Sequence, residues 1–253
     1  MAHEEVTDGF LILDKPLGIS SRAAVDIVQK WFPKRPRIGH AGTLDPLASG
    51  VLVLAIGVAT RLVEYVQAQT KVYRAVVTLG ATTSTDDSEG EPQPIADAVA
   101  PERATVERVL GEFLGTIQQV PPAYSAAHVE GQRAYRLARR GECVELAPRA
   151  VRIDRIDIED FAYPRLDIEI ACGKGTYIRS LARDLGQRLG TGGYLSSLRR
   201  TRIGVFDEFD AIELDSPPVP LTLRSLNDAV AYLPRLVLDD AELCRLANGQ
   251  RLP

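Results

Sequence analysis

The sequence has few of the residues that build disulfide frameworks and metal centres. Its 253 residues include three cysteines and three histidines, which are scattered along the chain, and no Cys-x-x-Cys pair occurs. An odd number of widely spaced cysteines does not predict a disulfide framework. Scattered histidines do not predict a zinc site. We therefore expect a reduced protein that uses no metal.

The sequence also lacks a secretory leader and long apolar runs. Its first ten residues are acidic and contain no apolar segment, which excludes a typical signal peptide. No apolar run reaches the length of a membrane span. The composition, with 45% hydrophobic and 25% charged residues, is that of a globular protein. These features predict a cytoplasmic chain without a membrane partner, long enough for one large domain or two smaller ones.

The net charge of −4 argues, as an average, against a nucleic-acid-binding protein. The basic residues are nevertheless clustered. Seven basic residues and one acid lie between Lys174 and Arg202, seven arginines and four acids between His128 and Arg155, and four basic residues and no acid between Lys30 and Arg37. Such a cluster is most often a solvated helix face. Three clusters separated from acidic segments favour a one-sided surface for an anionic ligand.

Apolar residues alternate with polar ones in several short segments, and this pattern is typical of strands. The predicted strands are Phe10–Leu13, Lys71–Gly80, Val151–Ile158 and Leu166–Ile170. The run Val51–Ile56 is apolar throughout and predicts a fully buried element of either type. Half-exposed strands with helices between them predict an α+β fold around a mixed, mainly antiparallel sheet.

Helical periodicity is clearest in two segments. One runs from Val106 to Ile117, and the other is Thr176–Leu189, for which Thr176 is the expected N-cap and Gly190 the stop. A further helix is expected after Ser20 or Ser21 and before Pro33.

The intervening polar segments predict loops. Thr82–Pro94 is acidic and contains Gly and Pro, so we expect an exposed loop. Gln118–Gln132, which leads into the arginine-rich Arg133–Arg140, predicts a mobile insertion outside the core.

Asp45 lies in the turn-forming run Gly39–Gly50, with Pro46 directly after it. Three glycines and a proline hold a short turn, and such a turn can aim one carboxylate in a defined direction. The commoner alternative is an Asx-type turn, in which Asp45 caps only its own backbone.

The run from Gly39 to Arg61, GHAGTLDPLASGVLVLAIGVATR, resembles the signature loop of the TruB family of tRNA pseudouridine synthases. Four other stretches resemble the same family in the same order: Gly9–Ser21, Lys71–Gly80, Pro121–Ala126 and Gly173–Leu181. The resemblance extends from about Gly9 to Leu236. It implies a pseudouridine synthase fold over residues 1–236, in which residues 118–150 form a thumb-like RNA-binding insertion. Many family members continue into a PUA domain, which in residues 237–253 is expected to be absent or truncated.

The resemblance also implies a reaction and a set of catalytic residues. The uridine at position 55 in the tRNA T loop would be flipped out and isomerised to pseudouridine without a cofactor. Asp45 matches the nucleophile, and Arg179 the arginine that keeps it ionised and oriented. Tyr73 matches the tyrosine that stacks on the base and is a candidate for the C5 proton transfer. Without the resemblance, Tyr73 would be interpreted as core packing and Arg179 as a surface helix arginine.

The remaining predicted site residues concern substrate binding. By resemblance, Tyr177 and Leu198 line the uracil pocket, and His40 fills the space that the flipped nucleotide leaves. The other predicted RNA contacts are Lys15, Arg133, Arg136, Lys174, Arg199 and Arg200.

Two alternative functions remain open. The chain could be a tRNA-folding chaperone without essential catalysis, or a guide-dependent relative of the dyskerin branch. The presence of Asp45, Tyr73 and Arg179 together argues against lost catalysis, and the compact acidic chain without basic tails favours a stand-alone enzyme. We expect a monomer whose partner is the T arm of tRNA.

Overall fold

One ten-stranded, mainly antiparallel sheet organises the described part of the chain. The structure is a computed structural model that describes residues 8–125, 128–129, 132–133, 140, 146–216 and 221–251. Its strands are β1 Gly9–Lys15, β2 Ile38–His40, β3 Ala48–Ile56, β4 Lys71–Leu79, β5 Ala81–Thr82, β6 Gln93–Pro94, β7 Gly115–Gln119, β8 His128–Val129, β9 Gln132–Arg133, β10 Arg149–Ala162, β11 Arg165–Cys172, β12 Gly193–Ile203, β13 Phe206–Asp207 and β14 Ile212–Glu213.

Helices connect and cover these strands. The α-helices are α1 Ser21–Val28, α2 Val63–Ala68, α3 Arg103–Gly111, α4 Ile178–Leu189 and α5 Asp240–Ala247. Short 3-10 helices occupy Gln29–Trp31, Gly57–Leu62, Glu208–Asp210 and Leu226–Val230. None of the helices in the described ranges is long and apolar enough to span a membrane.

The sheet has the strand order β14-β1-β3-β12-β4-β11-β10-β7, with β2 also paired to β3 and β13 to β12. Within it, β1 runs parallel to β14 and β12 parallel to β3, and the other pairs are antiparallel. The predicted α+β fold with a mixed, mainly antiparallel sheet is therefore confirmed.

Strand β3 is apolar throughout because both of its faces are buried. Leu52 and Leu54 pack in the larger core cluster, which also contains buried residues of α1, α3 and α4. Val51 and Val53 pack in a second cluster on the other face, with residues of the 3-10 helix Gly57–Leu62 and of α2. The strand that follows the Asp45 turn is thus held from two sides, which gives this turn a rigid base.

Two helix predictions were wrong in extent. Helix α3 ends at Gly111, and Ile117 lies in β7. The periodicity misled because Phe113 is buried in the turn between α3 and β7, so apolar residues continue at a helical spacing past the helix end. Helix α4 begins at Ile178 rather than at Thr176, whereas Gly190 is its C-cap as predicted.

The ends of the predicted insertion, residues 118 and 150, pair with each other inside the sheet. Gln118 is opposite Ala150 and Gln119 opposite Arg149. The chain therefore leaves and re-enters the sheet between these positions. Most residues between 126 and 145 lie outside the described ranges, so the RNA-binding role of the insertion stays a prediction.

Candidate active site

The turn that carries Asp45 connects β2 to β3 and is anchored to helix α1. Ser21, the first residue of α1, donates from Oγ to the Leu44 carbonyl (3.0 Å) and accepts from the Leu44 N–H (2.8 Å). The Pro46 carbonyl accepts from the Gly18 N–H at 2.8 Å. Ser20, rather than Ser21, caps the helix. The turn is fixed on both sides of Asp45, whose side chain remains 40% exposed.

Arg179, on the first turn of α4, holds the Asp45 carboxylate. The Arg179 side chain is 6% exposed, and its Nη2 lies 2.9 Å from Asp45 Oδ2. The same nitrogen donates to the Tyr124 carbonyl at 2.9 Å. A buried arginine at hydrogen-bond distance fixes the direction of this half-exposed carboxylate. This geometry is not that of a surface helix arginine, nor of an Asx turn that only caps itself.

Asp87 contacts Arg179 from the other side, and the sequence did not predict this role. Asp87 is 1% exposed, and its Oδ2 lies 3.1 Å from Arg179 Nη1. Its Oδ1 accepts from Thr85 Oγ1 (2.6 Å) and from the Glu89 N–H (3.0 Å). The prediction of an exposed loop over Thr82–Pro94 is therefore wrong for its centre. Arg179 is a buried cation between two carboxylates.

The start of α4 is capped from β7. Gln119 donates from Nε2 to the Tyr177 carbonyl (3.1 Å) and accepts at Oε1 from the Tyr177 N–H (2.8 Å). The Val120 carbonyl accepts from Ser180 Oγ at 2.8 Å and from Arg183 Nη2 at 2.9 Å. Gln119 thus caps the start of α4 in place of Thr176, the predicted N-cap. The beginning of the predicted insertion is part of the scaffold that positions Arg179.

A cleft of about 120 Å³ opens at Asp45. Its lining brings together Thr43, Leu44, Asp45, Tyr73, Ser125, Thr176, Tyr177, Ile178, Arg179 and Leu198. The predicted pocket residues Tyr73, Tyr177 and Leu198 therefore share one cleft with Asp45 and Arg179. Larger cavities, of about 580, 710 and 300 Å³, lie elsewhere in the described part of the chain and lack the Asp45–Arg179 pair. The smaller cleft is the candidate active site because it holds the Asp45–Arg179 ion pair.

Arg200 lies below the Asp45 turn rather than on the surface. It is 1% exposed, and it donates from Nε to the Val51 carbonyl (2.8 Å) and from Nη2 to the Gly42 carbonyl (3.0 Å). Its Cζ is 6.0 Å from the centroid of the Tyr73 ring. The predicted phosphate contact of Arg200 is therefore wrong, because the guanidinium is enclosed by the protein.

Arg199 points to the opposite face of the sheet. Successive residues of a strand alternate between faces, and Arg199 is opposite Arg74 whereas Arg200 is opposite Tyr73. Arg199 donates to both Asp14 oxygens (3.0 and 2.9 Å) and to Glu208 at 2.8 Å. The predicted contact of Arg199 with RNA at the cleft is not supported, since its side chain lies on the other face and is already paired.

Lys15 is fully buried. Its Nζ donates to the carbonyls of Pro16 (2.7 Å) and Ile19 (2.9 Å). Burial lowers the pKa of Lys15 to about 8, although Asp45 acts in the opposite direction. The predicted RNA contact is wrong for Lys15, whose ammonium fixes the chain between β1 and α1.

His40 ends β2 beside the Asp45 turn. Burial lowers the pKa of His40, and the charges of Arg200 and Arg22 add to this effect. Its Nδ1 is buried and has no hydrogen-bond partner among the described residues. We therefore interpret His40 as a neutral imidazole.

The remaining predicted RNA contacts are Lys174, Arg133 and Arg136. Lys174 is exposed in the turn before α4. Arg133 lies in β9, and Arg136 lies outside the described residues. Within the described ranges, no group of three or more potential metal ligands occurs.

Two solved structures of multi-component complexes have a similar fold. A crystal structure of a Cbf5–Nop10–Gar1 complex matches with a TM-score of 0.74 and 26% identity, over 97% of this chain and 68% of that one. A structure of an H/ACA RNP bound to a substrate RNA containing 2′-deoxyuridine matches with a TM-score of 0.72 and 25% identity, over 98% of this chain and 68% of that one. The fold and the cleft define the class as RNA pseudouridine synthases.

Sequence comparison gives the family. Residues 30–178 match the TruB family pseudouridylate synthase N-terminal domain, and residues 179–217 match the tRNA pseudouridylate synthase B C-terminal domain. The tRNA pseudouridine synthase B of Brucella ovis is 48% identical over 218 residues, 84% of this chain and 67% of that protein. The protein of the same name from Thermobifida fusca is 44% identical over 256 residues, 98% and 87% of the two chains. This chain belongs to the TruB family of pseudouridine synthases.

Proposed function

We propose that this chain isomerises the uridine at position 55 in the T loop of tRNA to pseudouridine. The observation that carries the proposal is the ion pair between half-exposed Asp45 and buried Arg179 at the mouth of a small cleft. Relatives that are 44–48% identical are tRNA pseudouridine synthases B, which supports tRNA as the substrate. The guide-dependent alternative has weaker support, because the matched Cbf5 complexes are 25–26% identical.

The reaction exchanges one bond of the base for another. The C1′–N1 bond breaks, the base turns within the site, and a C1′–C5 bond forms. C5 then loses a proton and N1 gains one, so the change is an isomerisation without net oxidation. Asp45 is the proposed nucleophile, and Arg179 orients its carboxylate.

The base must leave its stack to reach Asp45. The cleft is narrow and apolar on the sides that Tyr73 and Leu198 provide, which suits one flat base stacked on an aromatic ring. Extrusion of a nucleotide costs a few kcal/mol, which phosphate contacts offset. We propose that exposed Lys174 supplies one such contact, that His40 occupies the vacated space, and that the insertion with Arg133 and Arg136 closes on the T arm.

We propose that the enzyme acts as a monomer and that the reaction takes place in the cytoplasm. A chaperone activity that folds the tRNA elbow would use the same basic surface but would not need the Asp45–Arg179 pair.

The test is tritium release from a tRNA transcript labelled at C5 of its uridines. We expect stoichiometric release by the wild type, at least about a 10³-fold slower rate for Asp45→Asn, and unchanged tRNA binding by both. Asp26→Asn is the matched control, because Asp26 is an exposed aspartate that pairs with Arg22 on α1. A transcript with cytidine at position 55 should release no tritium. Binding without release by the wild type would overturn the proposal in favour of an RNA chaperone.

A further inference from the structure

Arg200 is a buried cation to which the reaction as described assigns no role. Among the residues that the structure describes, no carboxylate pairs with its guanidinium. Two of its nitrogens instead donate to main-chain carbonyls, those of Gly42 and Val51. A buried charge without a counter-ion is costly. Packing alone therefore does not explain why Arg200 lies directly below the Asp45 turn.

The main chain of Arg200 packs closely against the start of β3. Gly50 has a φ of 97°, and a Cβ on it would lie 2.2 Å from the Arg200 carbonyl oxygen. The turn and β12 are thus in direct main-chain contact. Besides the Gly42 and Val51 carbonyls, the ring of Tyr73 lies beside the guanidinium, with its centroid 6.0 Å from Arg200 Cζ.

Arg200 and Tyr73 are direct neighbours across two antiparallel strands, β12 and β4. Such a pair has Cβ atoms about 5 Å apart on one face. Burial raises the pKa of Tyr73, and the charge of Arg200 acts against that rise, while Asp45 adds to it. Arg200 is therefore the cation that favours a negative charge on the Tyr73 oxygen.

We propose that Arg200 is a positioning residue whose buried charge stabilises the phenolate of Tyr73 as the acceptor of the C5 proton. This inference rests on the proposed function. After the C1′–C5 bond has formed, C5 carries both the sugar and its original proton. The Tyr73 oxygen takes that proton, the C5–H electron pair becomes the C5=C6 double bond, and the C6=N1 pair returns to N1. N1 then takes a proton from solvent, and the phenol returns its proton to solvent.

The experiment compares Arg200→Met, Arg200→Lys and the matched control Arg199→Met in single-turnover reactions on tRNA with either hydrogen or deuterium at C5. Loss of a positioned general base slows a reaction by about 10²–10⁴-fold. We expect Arg200→Met to fall in this range and to show a larger deuterium isotope effect than wild type, because C5 proton removal becomes rate-limiting. Arg200→Lys should recover at least about tenfold of this loss and the wild-type isotope effect. Arg199→Met should leave both quantities unchanged.

A second readout does not depend on Arg200→Met folding. Fluorotyrosine at position 73 reports its own ionisation by fluorine NMR in the otherwise wild-type chain and in Arg200→Lys. We expect the titration midpoint to move to higher pH in Arg200→Lys, because an ammonium on a shorter stem is farther from the phenol oxygen. An unchanged midpoint, or a slower Arg200 variant with the wild-type isotope effect, would overturn the inference and leave Arg200 as a support of the turn. Absence of C5 release by the wild type would instead defeat the proposed function itself.

Discussion

The two carboxylates that flank Arg179 differ in burial, and this difference predicts unequal effects on stability. Asp87→Asn keeps the shape and the Oδ1 acceptor for Thr85 and Glu89, but it removes the charge that lies 3.1 Å from Arg179. A hydrogen bond between charged groups contributes about 1.5–3 kcal/mol, and breaking a buried ion pair costs about 3–5 kcal/mol. Because the Asn retains part of the network, we expect a loss of about 2–3 kcal/mol. Asp45→Asn should cost less than about 1 kcal/mol, since Asp45 is half-exposed and Arg179 keeps its ion pair with Asp87.

The loss of activity should be larger for Asp45→Asn than for Asp87→Asn, the reverse of the order expected for stability. Asp45→Asn removes the proposed nucleophile, so we expect it to abolish turnover. Asp87→Asn leaves Arg179 with Asp45 and with the Tyr124 carbonyl, so we expect a decrease of about 10–100-fold from a misplaced guanidinium. Urea unfolding gives the stability of each variant, and single-turnover tritium release gives its activity. The reasoning is refuted if Asp45→Asn destabilises as much as Asp87→Asn, or if Asp87→Asn is as stable as wild type.

Three further predictions concern the scaffold, and urea unfolding measures each. Gln119→Ala removes both hydrogen bonds to the Tyr177 backbone and should cost about 1–3 kcal/mol. Gly50→Ala should cost more than about 3 kcal/mol, because the new Cβ meets the Arg200 carbonyl oxygen at 2.2 Å. Burial lowers the pKa of Lys71 to about 8, below its unfolded value of about 10.4. Between pH 8 and about 10 the unfolded chain therefore binds a proton that the native chain has released, so stability should rise with pH relative to Lys71→Met.

Each of these predictions has a matched control. Gln118→Ala changes an exposed neighbour on β7, and a loss equal to that of Gln119→Ala would show that capping is not the cause. Gly111→Ala places a Cβ in open space and should be tolerated. Lys174→Met replaces an exposed lysine. If its unfolding free energy has the same pH dependence as that of Lys71→Met, burial of Lys71 does not cause the rise.

The sheet and the helix that carries Arg179 were predictable because their patterns are local. The alternation in Lys71–Gly80 corresponds to β4, and the apolar stripe of α4 corresponds to its buried face. The prediction failed where the chain changes element without changing its apolar spacing, as at Ile117. The pairing of β7 with β10 determines the conformation of that segment. The spacing of apolar residues along the chain carries no information about this long-range pairing.

The active site was predictable through its turn, and its supporting residues were not. Asp45 is marked by glycines and a proline, whereas Asp87 lies in an acidic segment where nothing in its spacing separates it from the exposed acids around it. Alternation along a strand already implies that Arg199 and Arg200 face opposite sides. Which of the two faces the cleft depends on the register of β12 against β4, and that register is tertiary information.

Strand β12 presents three consecutive side chains to three different environments. Leu198 lines the cleft, Arg199 pairs with acids on the other face, and Arg200 lies below the nucleophile's turn. Register shifts against β4 occur on both sides of this triplet, between Leu195 and Ser197 and between Arg200 and Arg202. Insertions or deletions during evolution can therefore be absorbed at these irregular positions. Between them, an insertion or deletion of one residue would turn each following side chain to the opposite face of the sheet. Leu198 would then leave the wall of the pocket, and Arg200 would leave its buried position.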